Sequence, residues 1–265
     1  MSRKGFIRSV LIAVPLAAVG AMPAACASVH SSSAGSGSDE SLTVSSVTAS
    51  GSRSGSLSGV AVSSPAAPVL SSLPGIGPRT LAAIPASAGQ VVLAVGGGAT
   101  SADATVQLFT RVPGGWQSAS AAWPAHNALH GWTDEHHESD LKSPIGVFGI
   151  TDAGGLLPDP GTKLHYTQSK TFTVNGVGFH GEPLAGSFDY VIAINYNRVP
   201  GTSPIDPTMP MGASRGGGIW LHVDHGGPTH ACVSVARDDV KQLLLSLDPA
   251  MHPVIVMGDG GSLER

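Results

Sequence analysis

The chain has few charges, few aromatic residues and no run of basic residues. Asp, Glu, Lys and Arg make up 12% of its 265 residues, about half the usual share in a soluble domain. Aromatic residues account for 5%, and acids outnumber Lys and Arg by 18 to 14. Nucleic-acid-binding proteins rely on clustered cations that neutralise phosphates. The composition therefore excludes nucleic acid as the partner.

Cysteine is equally scarce, and its two positions lie far apart, at Cys26 and Cys232. Residues 1–27 contain three cations near the start, an apolar run over residues 10–20 and small residues through Ala27. This order is typical of a secretory signal peptide. The apolar run is too short to be a convincing membrane span. We therefore expect a secreted or cell-envelope protein outside the cytoplasmic membrane.

The end of the signal peptide allows two interpretations. Cleavage after Ala27 fits the small residues at positions 25 and 27, whereas lipid attachment at Cys26 would tether the protein to a membrane. Cleavage after Ala27 leaves 11 cations against 18 acids, a net charge of −7. It also leaves Cys232 as the only cysteine of the mature chain. Such a cysteine is either a buried, inert residue or a reactive thiol.

Composition divides the rest of the chain into three parts. Residues 28–87 are rich in Ser, Gly and Ala and predict a flexible linker, because such a segment buries too little apolar area to order itself. Residues 88–259 form the predicted domain, which is long enough for one sizeable core. Residues 260–265 are a tail.

The domain sequence predicts a mostly β fold. Apolar runs at residues 90–95 and 105–112, with the turn Pro113-Gly114-Gly115 before a new strand at Trp116, are typical of hairpins. Five more strands are predicted, at residues 146–150, 171–174, 190–196, 219–223 and 254–257. We expect a β-sandwich or mixed sheet with one or two short helices.

One helix is strongly indicated after Val235. Apolar side chains recur with helical spacing at Val240, Leu243, Leu244 and Leu247. Asp238 and Asp239 suit a first turn, and Asp248-Pro249 ends the pattern. If the start of this helix pointed at Cys232, it would lower the pKa of the thiol slightly.

The candidate site is centred on Cys232. His222 lies ten residues earlier, across the turn Gly226-Gly227-Pro228. A histidine that removes the thiol proton leaves a reactive thiolate, the minimal apparatus for nucleophilic acyl chemistry. The backbone N–H groups of Ala231 and Cys232 are candidate donors for a developing oxyanion. A Cys-His pair at this spacing is not specific, since chance and metal binding also produce it.

The same residues carry a resemblance to a known family. Leu221-His222, then Thr229-His230-Ala231-Cys232, an acid-led helix and the closing strand at residues 254–258 resemble the YkuD-type L,D-transpeptidases, secreted bacterial enzymes that cross-link peptidoglycan. Ser143-Pro144-Ile145-Gly146-Val147-Phe148 is similar to the Ser/Thr-Pro-x-Gly-x-Phe strand of that family. The likeness covers residues 105–258.

The resemblance implies a cysteine acyltransferase without a metal or cofactor. Cys232 falls on the family's nucleophile, His222 on its base, and Thr229 and His230 on its supporting Ser/Thr-His pair. The implied substrate is a peptidoglycan stem peptide, which gives a 3→3 cross-link through a thioester. Water as acceptor would instead make an L,D-carboxypeptidase. Carbapenem β-lactams are implied as inhibitors.

The sequence departs from the family pattern in three ways. Ala231 stands in place of glycine, and would be strained if its turn needs a positive φ. Ser234 replaces the usual Asn or Arg, and the loop between His222 and Cys232 is short. These departures leave open a non-catalytic relative that binds the cell wall.

Other polar residues give weaker indications. A zinc-dependent envelope hydrolase could be built on His222, His225 and the His136-His137 loop, although the chain has no His-Glu-x-x-His helix. His136 and His137 are more simply part of a solvated polar loop. Tyr196 and Trp220 are candidates for a substrate-binding wall.

Overall fold

The structure, a computed structural model, describes residues 67–265. The predicted signal peptide, the predicted lipidation site at Cys26 and most of the predicted linker lie outside the described residues. Within residues 67–265, no helix combines the length and apolar character needed to cross a membrane.

The described part of the chain is mostly β. The first strands and the first helix are β1 (Val69–Leu70), α1 (Pro78–Ala83), β2 (Gln90–Gly96), β3 (Asp103–Val112), β4 (Gly115–Ser118) and β5 (Trp123–His126). The middle of the chain holds β6 (Trp132–Thr133), β7 (Ser143–Pro144), β8 (Gly146–Gly155), β9 (His165–Gln168) and β10 (Val191–Ile194). The last elements are β11 (Trp220–Val223), β12 (Val233–Val235), α2 (Arg237–Ser246), β13 (Val254–Asp259) and α3 (Gly260–Leu263). Short 3₁₀ turns occur at Lys170–Phe172, Ala213–Arg215 and Pro249–Met251.

Eight of these strands close into a ring. The order β3-β2-β13-β8-β10-β11-β12-β5 returns to β3 through an antiparallel β3–β5 pairing. β2 pairs with β13, and β11 with β12, in parallel. β4, β1 and β9 extend the sheet outside the ring. Closure removes the exposed edges that an open sheet of this size would leave.

The core is divided by the two faces of this sheet. The largest buried cluster draws on the ring strands and on the apolar side of α2, where Val240, Leu243, Leu244 and Leu247 are fully buried. The apolar face of the helix is buried, as its spacing predicts, and the helix lies inside the ring. A second cluster covers the outer face of β2 and β13 with Leu73, Ile84 and Leu263. A third covers the outer face of β10 and β11.

Most predicted strands are confirmed, whereas both ends of the predicted domain and one predicted strand are corrected. Residues 260–265 belong to the fold rather than to a tail, since they form α3 and bury Leu263. Residues 69–87 belong to the fold rather than the linker, since they form β1 and α1 and bury Leu73 and Ile84. The segment predicted as a strand at residues 171–174 is instead a 3₁₀ turn followed by a loop. The apolar residues Phe172 and Val174 pack in the third cluster and do not pair in the sheet, so an apolar pattern here does not indicate a strand.

Candidate functional site

His222 and Cys232 project from the same face of neighbouring strands. In the parallel β11–β12 pair, Leu221 lies opposite Val233 and His222 opposite Ser234. Leu221 and Val233 face the inside of the ring. Because side chains alternate along a strand, His222 and Cys232 both face outward. They are offset by two residues, which puts their Cα atoms roughly 8 Å apart.

The sulfur of Cys232 is fully buried in the third cluster, with Phe172, Phe188 and Trp220. It accepts a hydrogen bond from the backbone N–H of Trp220 at 3.4 Å. It also lies 3.7 Å from the carbonyl oxygen of Gly218. The rings of Phe188 and Trp220 meet edge to face with centroids 5.0 Å apart. The sulfur therefore sits in an apolar, water-poor environment.

His222 is 2% exposed and lies beside the same aromatic cluster. Its ring meets Phe188 edge to face, with centroids 5.2 Å apart. Its Nδ1 lies 2.9 Å from the carbonyl oxygen of Val223, which selects the tautomer protonated at Nδ1 and leaves the lone pair on Nε2. Burial lowers the pKa of His222 to about 4, although the bond to Val223 opposes that shift. The imidazole is therefore neutral at pH 7 and has a nitrogen able to accept a proton.

The turn before Cys232 is held by hydrogen bonds to the cysteine carbonyl. Thr229 donates its hydroxyl to this oxygen at 2.7 Å, and Ser143 of β7 donates to it at 3.2 Å. Thr229 is itself fixed, because its N–H donates to the Asn127 carbonyl. Thr229 thus supports the turn from both its backbone and its side chain.

Ala231 is accommodated without backbone strain. It is absent from the positive-φ residues of the described chain, and its methyl group packs inside the ring at 3% exposure. A glycine is therefore not needed here for conformational reasons.

A narrow cleft with a cavity volume of about 20 Å³ lies next to this turn. Its walls include three histidines, His222, His225 and His230, together with Thr229. Phe179, Phe188 and Leu184 supply its apolar lining. Cys232 does not line the cleft and lies behind this wall. His222 is 2% exposed and Cys232 is fully buried, so a substrate reaches either side chain only when part of this wall moves.

A hairpin over residues 176–184 forms one side of the cleft. Val177 pairs with Pro183, and the N–H of Gly178 donates to the Glu182 carbonyl at 2.7 Å. Phe179 at its tip stacks on His230, with ring centroids 4.8 Å apart. Glu182 brings a largely buried carboxylate to 3.3 Å from Nδ1 of His225.

A second polar group braces the strand after His222. Asp224 accepts hydrogen bonds at 2.7 Å from Ser234 and at 2.7 Å from Nδ1 of His126 on β5. Burial raises the pKa of Asp224, but these bonds outweigh that effect and lower it to about 2. The hydrogen bond with Asp224 raises the pKa of His126. Ser234 thus helps anchor the loop after β11.

Three other predicted features lie away from the cleft. Tyr196 is buried and donates its hydroxyl to the carbonyls of His136 and Arg215, and Trp220 is buried in the third cluster. Neither lines the cleft, so the geometry gives no support to a substrate-binding role for them. α2 packs inside the ring, on the opposite side of β12 from Cys232. A helix dipole acts mainly within its first turn, so α2 does not tune this sulfur.

The histidine loop does not join the site. His136 is buried against Tyr196 and lies 3.0 Å from Asp140, while His137 is exposed. Within residues 67–265, no three His, Cys, Asp or Glu side chains gather as a metal-holding group. The zinc-hydrolase alternative therefore has no assembled ligand set in this part of the chain.

Sequence reasoning missed the contributions of Glu182 and Phe188. Both lie between the strands that the sequence predicts at residues 171–174 and 190–196. The glycines at 176, 178 and 181 are a signal for a tight hairpin, but nothing in the pattern places that hairpin over His225. Ser143 belongs to a recognisable strand motif, but nothing in the sequence predicts that its hydroxyl donates to the Cys232 carbonyl.

Comparisons with known proteins give a weak likeness. No family model and no curated protein matches the chain. One similar solved structure is the helical cell shape determining protein Pgp2 from Campylobacter jejuni, at 14% identity and a TM-score of 0.36. Another is Bd1075 of Bdellovibrio bacteriovorus, at 17% identity and a TM-score of 0.34. The alignments cover 64% and 65% of this chain and 47% and 48% of those chains, so this chain spans about half the length of both.

Proposed function

We propose that the domain is a cysteine acyltransferase of the bacterial cell envelope, an L,D-transpeptidase acting on peptidoglycan stem peptides. The observation that carries the proposal is the shared outward face of His222 and Cys232 on adjacent strands, next to a cleft that His222 lines. The Thr-His-Ala-Cys motif and its resemblance to the YkuD-type family supply the substrate class. The signal-peptide pattern supplies the location.

Each half-reaction has a residue suited to it. Nε2 of His222 accepts the thiol proton as the sulfur attacks the carbonyl carbon of the donor stem. The C–S bond forms, the C–N bond breaks, and the imidazolium returns its proton to the departing amine, D-alanine. The N–H groups of Ala231 and Cys232, in the turn at the nucleophile, are the proposed donors to the oxyanion. An amine from a second stem then attacks the thioester and forms the 3→3 cross-link.

A buried sulfur sets a condition on this chemistry. Cys232 has no exposed surface and packs with Phe188 and Trp220. Its sulfur is disulfide-bonded, so a reductant must first release the thiol. Acylation also requires movement of this cover or of the 176–184 hairpin. We expect Cys232 to react more slowly with small alkylating agents than an exposed cysteine does.

The test is intact-protein mass spectrometry of the mature chain, treated with a reductant and then with a carbapenem. We expect a covalent adduct on the parent protein, none on Cys232→Ala, and strongly slowed formation on His222→Gln. His137→Gln is the matched control, because that histidine is exposed and remote from the cleft. An adduct that persists in Cys232→Ala, or none on the parent, would refute the proposal. Binding to peptidoglycan without an adduct would identify the non-catalytic wall-binding alternative.

The products separate the two uses of the same site. With tetrapeptide stems as the only substrate, cross-linked dimers indicate an L,D-transpeptidase. Tripeptides and free D-alanine alone indicate the L,D-carboxypeptidase alternative. Loss of activity with a chelator, with Cys232→Ala fully active, would indicate the zinc hydrolase.

A further inference from the structure

The cleft contains a second buried imidazole beside the proposed base. His225 follows β11 and stacks on His222, with ring centroids 5.9 Å apart and an angle of 13° between the ring planes. Both rings line the cleft. His222 holds its Nδ1 against the Val223 carbonyl, and His225 holds its Nδ1 near Glu182. In both rings Nε2 is thus the nitrogen left to accept a proton.

The Glu182 carboxylate lies close enough to His225 to stabilise that ring when it is protonated. Its side chain is 11% exposed and that of His225 is 6% exposed. One carboxylate oxygen accepts the N–H of His180 at 2.8 Å, and the other lies 3.3 Å from His225. Burying a carboxylate costs several kcal/mol unless a charge partner compensates it. A protonated His225 is such a partner.

Two glycines leave room for the Glu182 carboxylate. A Cβ at Gly227 would stand 2.1 Å from the Glu182 carboxylate, and one at Gly178 would stand 2.0 Å from it. The two glycines thus clear the space on both sides of Glu182. The arrangement links the 176–184 hairpin to the turn after His225.

We propose that His225 is the base that takes the proton from the acceptor amine, with Glu182 as its positioning residue. This inference rests on the proposed function and concerns its second half-reaction. It assigns the two imidazoles different tasks: His222 serves the attacking sulfur, and His225 serves the incoming nitrogen. The acceptor is a primary amine, which must be unprotonated to attack.

The step balances as follows in atoms and electrons. The amine lone pair forms the new C–N bond at the thioester carbonyl carbon, and the C–S bond breaks with its electrons on sulfur. The N–H proton passes to Nε2 of His225, where the Glu182 carboxylate stabilises the imidazolium. The His225 imidazolium then gives up this proton, which reaches the Cys232 thiolate through His222 or solvent and regenerates both the thiol and the neutral base.

The experiment follows acylation and amine transfer separately in the reduced mature chain. The donor is a tetrapeptide stem ending in D-alanine, and the acceptor is either glycinamide or hydroxylamine, which is largely unprotonated at neutral pH. D-alanine release in the first turnover reports acylation. Amide product and the intact mass of the thioester report the second step.

The variants are His225→Gln and Glu182→Gln, with His180→Gln as the control on the same hairpin, because the His180 side chain is exposed and outside the cleft lining. General base catalysis contributes roughly 10²–10⁴-fold. We expect glycinamide transfer to fall at least about tenfold in both variants, and more in His225→Gln. The thioester should then accumulate on Cys232, and hydroxylamine should restore most of the turnover.

The outcomes separate this inference from the proposed function. Unchanged glycinamide transfer in both variants overturns the role of His225. A parallel fall in acylation, with no accumulated thioester, also overturns it, because it indicates a merely structural role. If the parent forms no thioester, the proposed function fails and this inference fails with it.

Discussion

Burial of His222 makes the stability of the folded chain depend on pH in a defined direction. The side chain is 2% exposed, and burial lowers its pKa to about 4 from the ordinary value of 6.5. Below pH 6.5 the unfolded chain binds a proton at this residue, whereas the folded chain does not until the pH approaches 4. The folded state is therefore fully favoured above pH 6.5 and loses stability as the pH falls towards 4.

The size of the effect follows from the shift. A shift of one pKa unit corresponds to about 1.4 kcal/mol, so the drop to about 4 predicts a loss on the order of 3 kcal/mol between pH 7 and pH 4. His222→Gln removes the titrating group and should lose correspondingly less stability over that range. The measurement is urea unfolding at several pH values, followed by tryptophan fluorescence.

The other histidines of the fold titrate in both proteins, so only the difference between parent and variant reports on His222. The matched control is His137→Gln, which removes an exposed histidine and should keep the parental pH dependence. If parent and His222→Gln lose the same stability between pH 7 and pH 4, the ring is hydrated in solution. The argument for a buried, neutral base would then be wrong.

Three further predictions concern the residues that hold the site. Thr229→Val removes the hydrogen bond to the buried Cys232 carbonyl, so it should lower the free energy of unfolding by about 1–2 kcal/mol and slow carbapenem acylation. Thr229→Ser keeps the hydroxyl and should keep the parental stability and acylation rate. A valine variant with parental stability and acylation would contradict a supporting role for this hydrogen bond. Asp224→Asn should lower the free energy of unfolding by about 1.5–3 kcal/mol at pH 7. Because the pKa of Asp224 is depressed in the folded chain, the parent should lose stability as the pH falls from about 4 towards 2, and the variant should lose less. Urea unfolding at pH 2–7 measures this difference, and equal pH dependence in the two proteins would refute it. Ala231→Gly should lower stability by about 1 kcal/mol through the lost methyl packing and the added chain entropy and should not speed acylation; a faster glycine variant would mean that the alanine strains the turn after all.

The local elements were largely predictable because their signals are local. Alternation and turn residues predict β2, β3 and the hairpin to β4, and the spacing of Val240, Leu243, Leu244 and Leu247 predicts α2. The failure at residues 171–174 has a physical reason. An apolar run that packs as a cover over a sheet has the same composition as a buried strand, and only the partner decides which one forms.

Only some residues of the candidate site were predictable from the sequence. The motif at residues 229–232 predicts Thr229 and Cys232, because the geometry of a four-residue turn is set by neighbouring residues. His222 is predicted from its short distance to this motif in the sequence. Glu182 and Phe188 lie far from that motif in sequence. Their approach to His225 and His222 depends on how the segment before β10 folds back, which no local pattern encodes.

By itself, the sequence determined the class of fold, the position of the one long helix and the pairing of a thiol with an imidazole as the chemistry to look for. Only the tertiary structure decided that the sheet closes into a ring, that α2 fills its inside, and that His222 and Cys232 share its outer face. It also decided that the sulfur is buried and that a second imidazole with a carboxylate borders the cleft. The physical reason is that burial, and with it the pKa of His222, is a property of the whole packed neighbourhood and not of the residues adjacent in the chain.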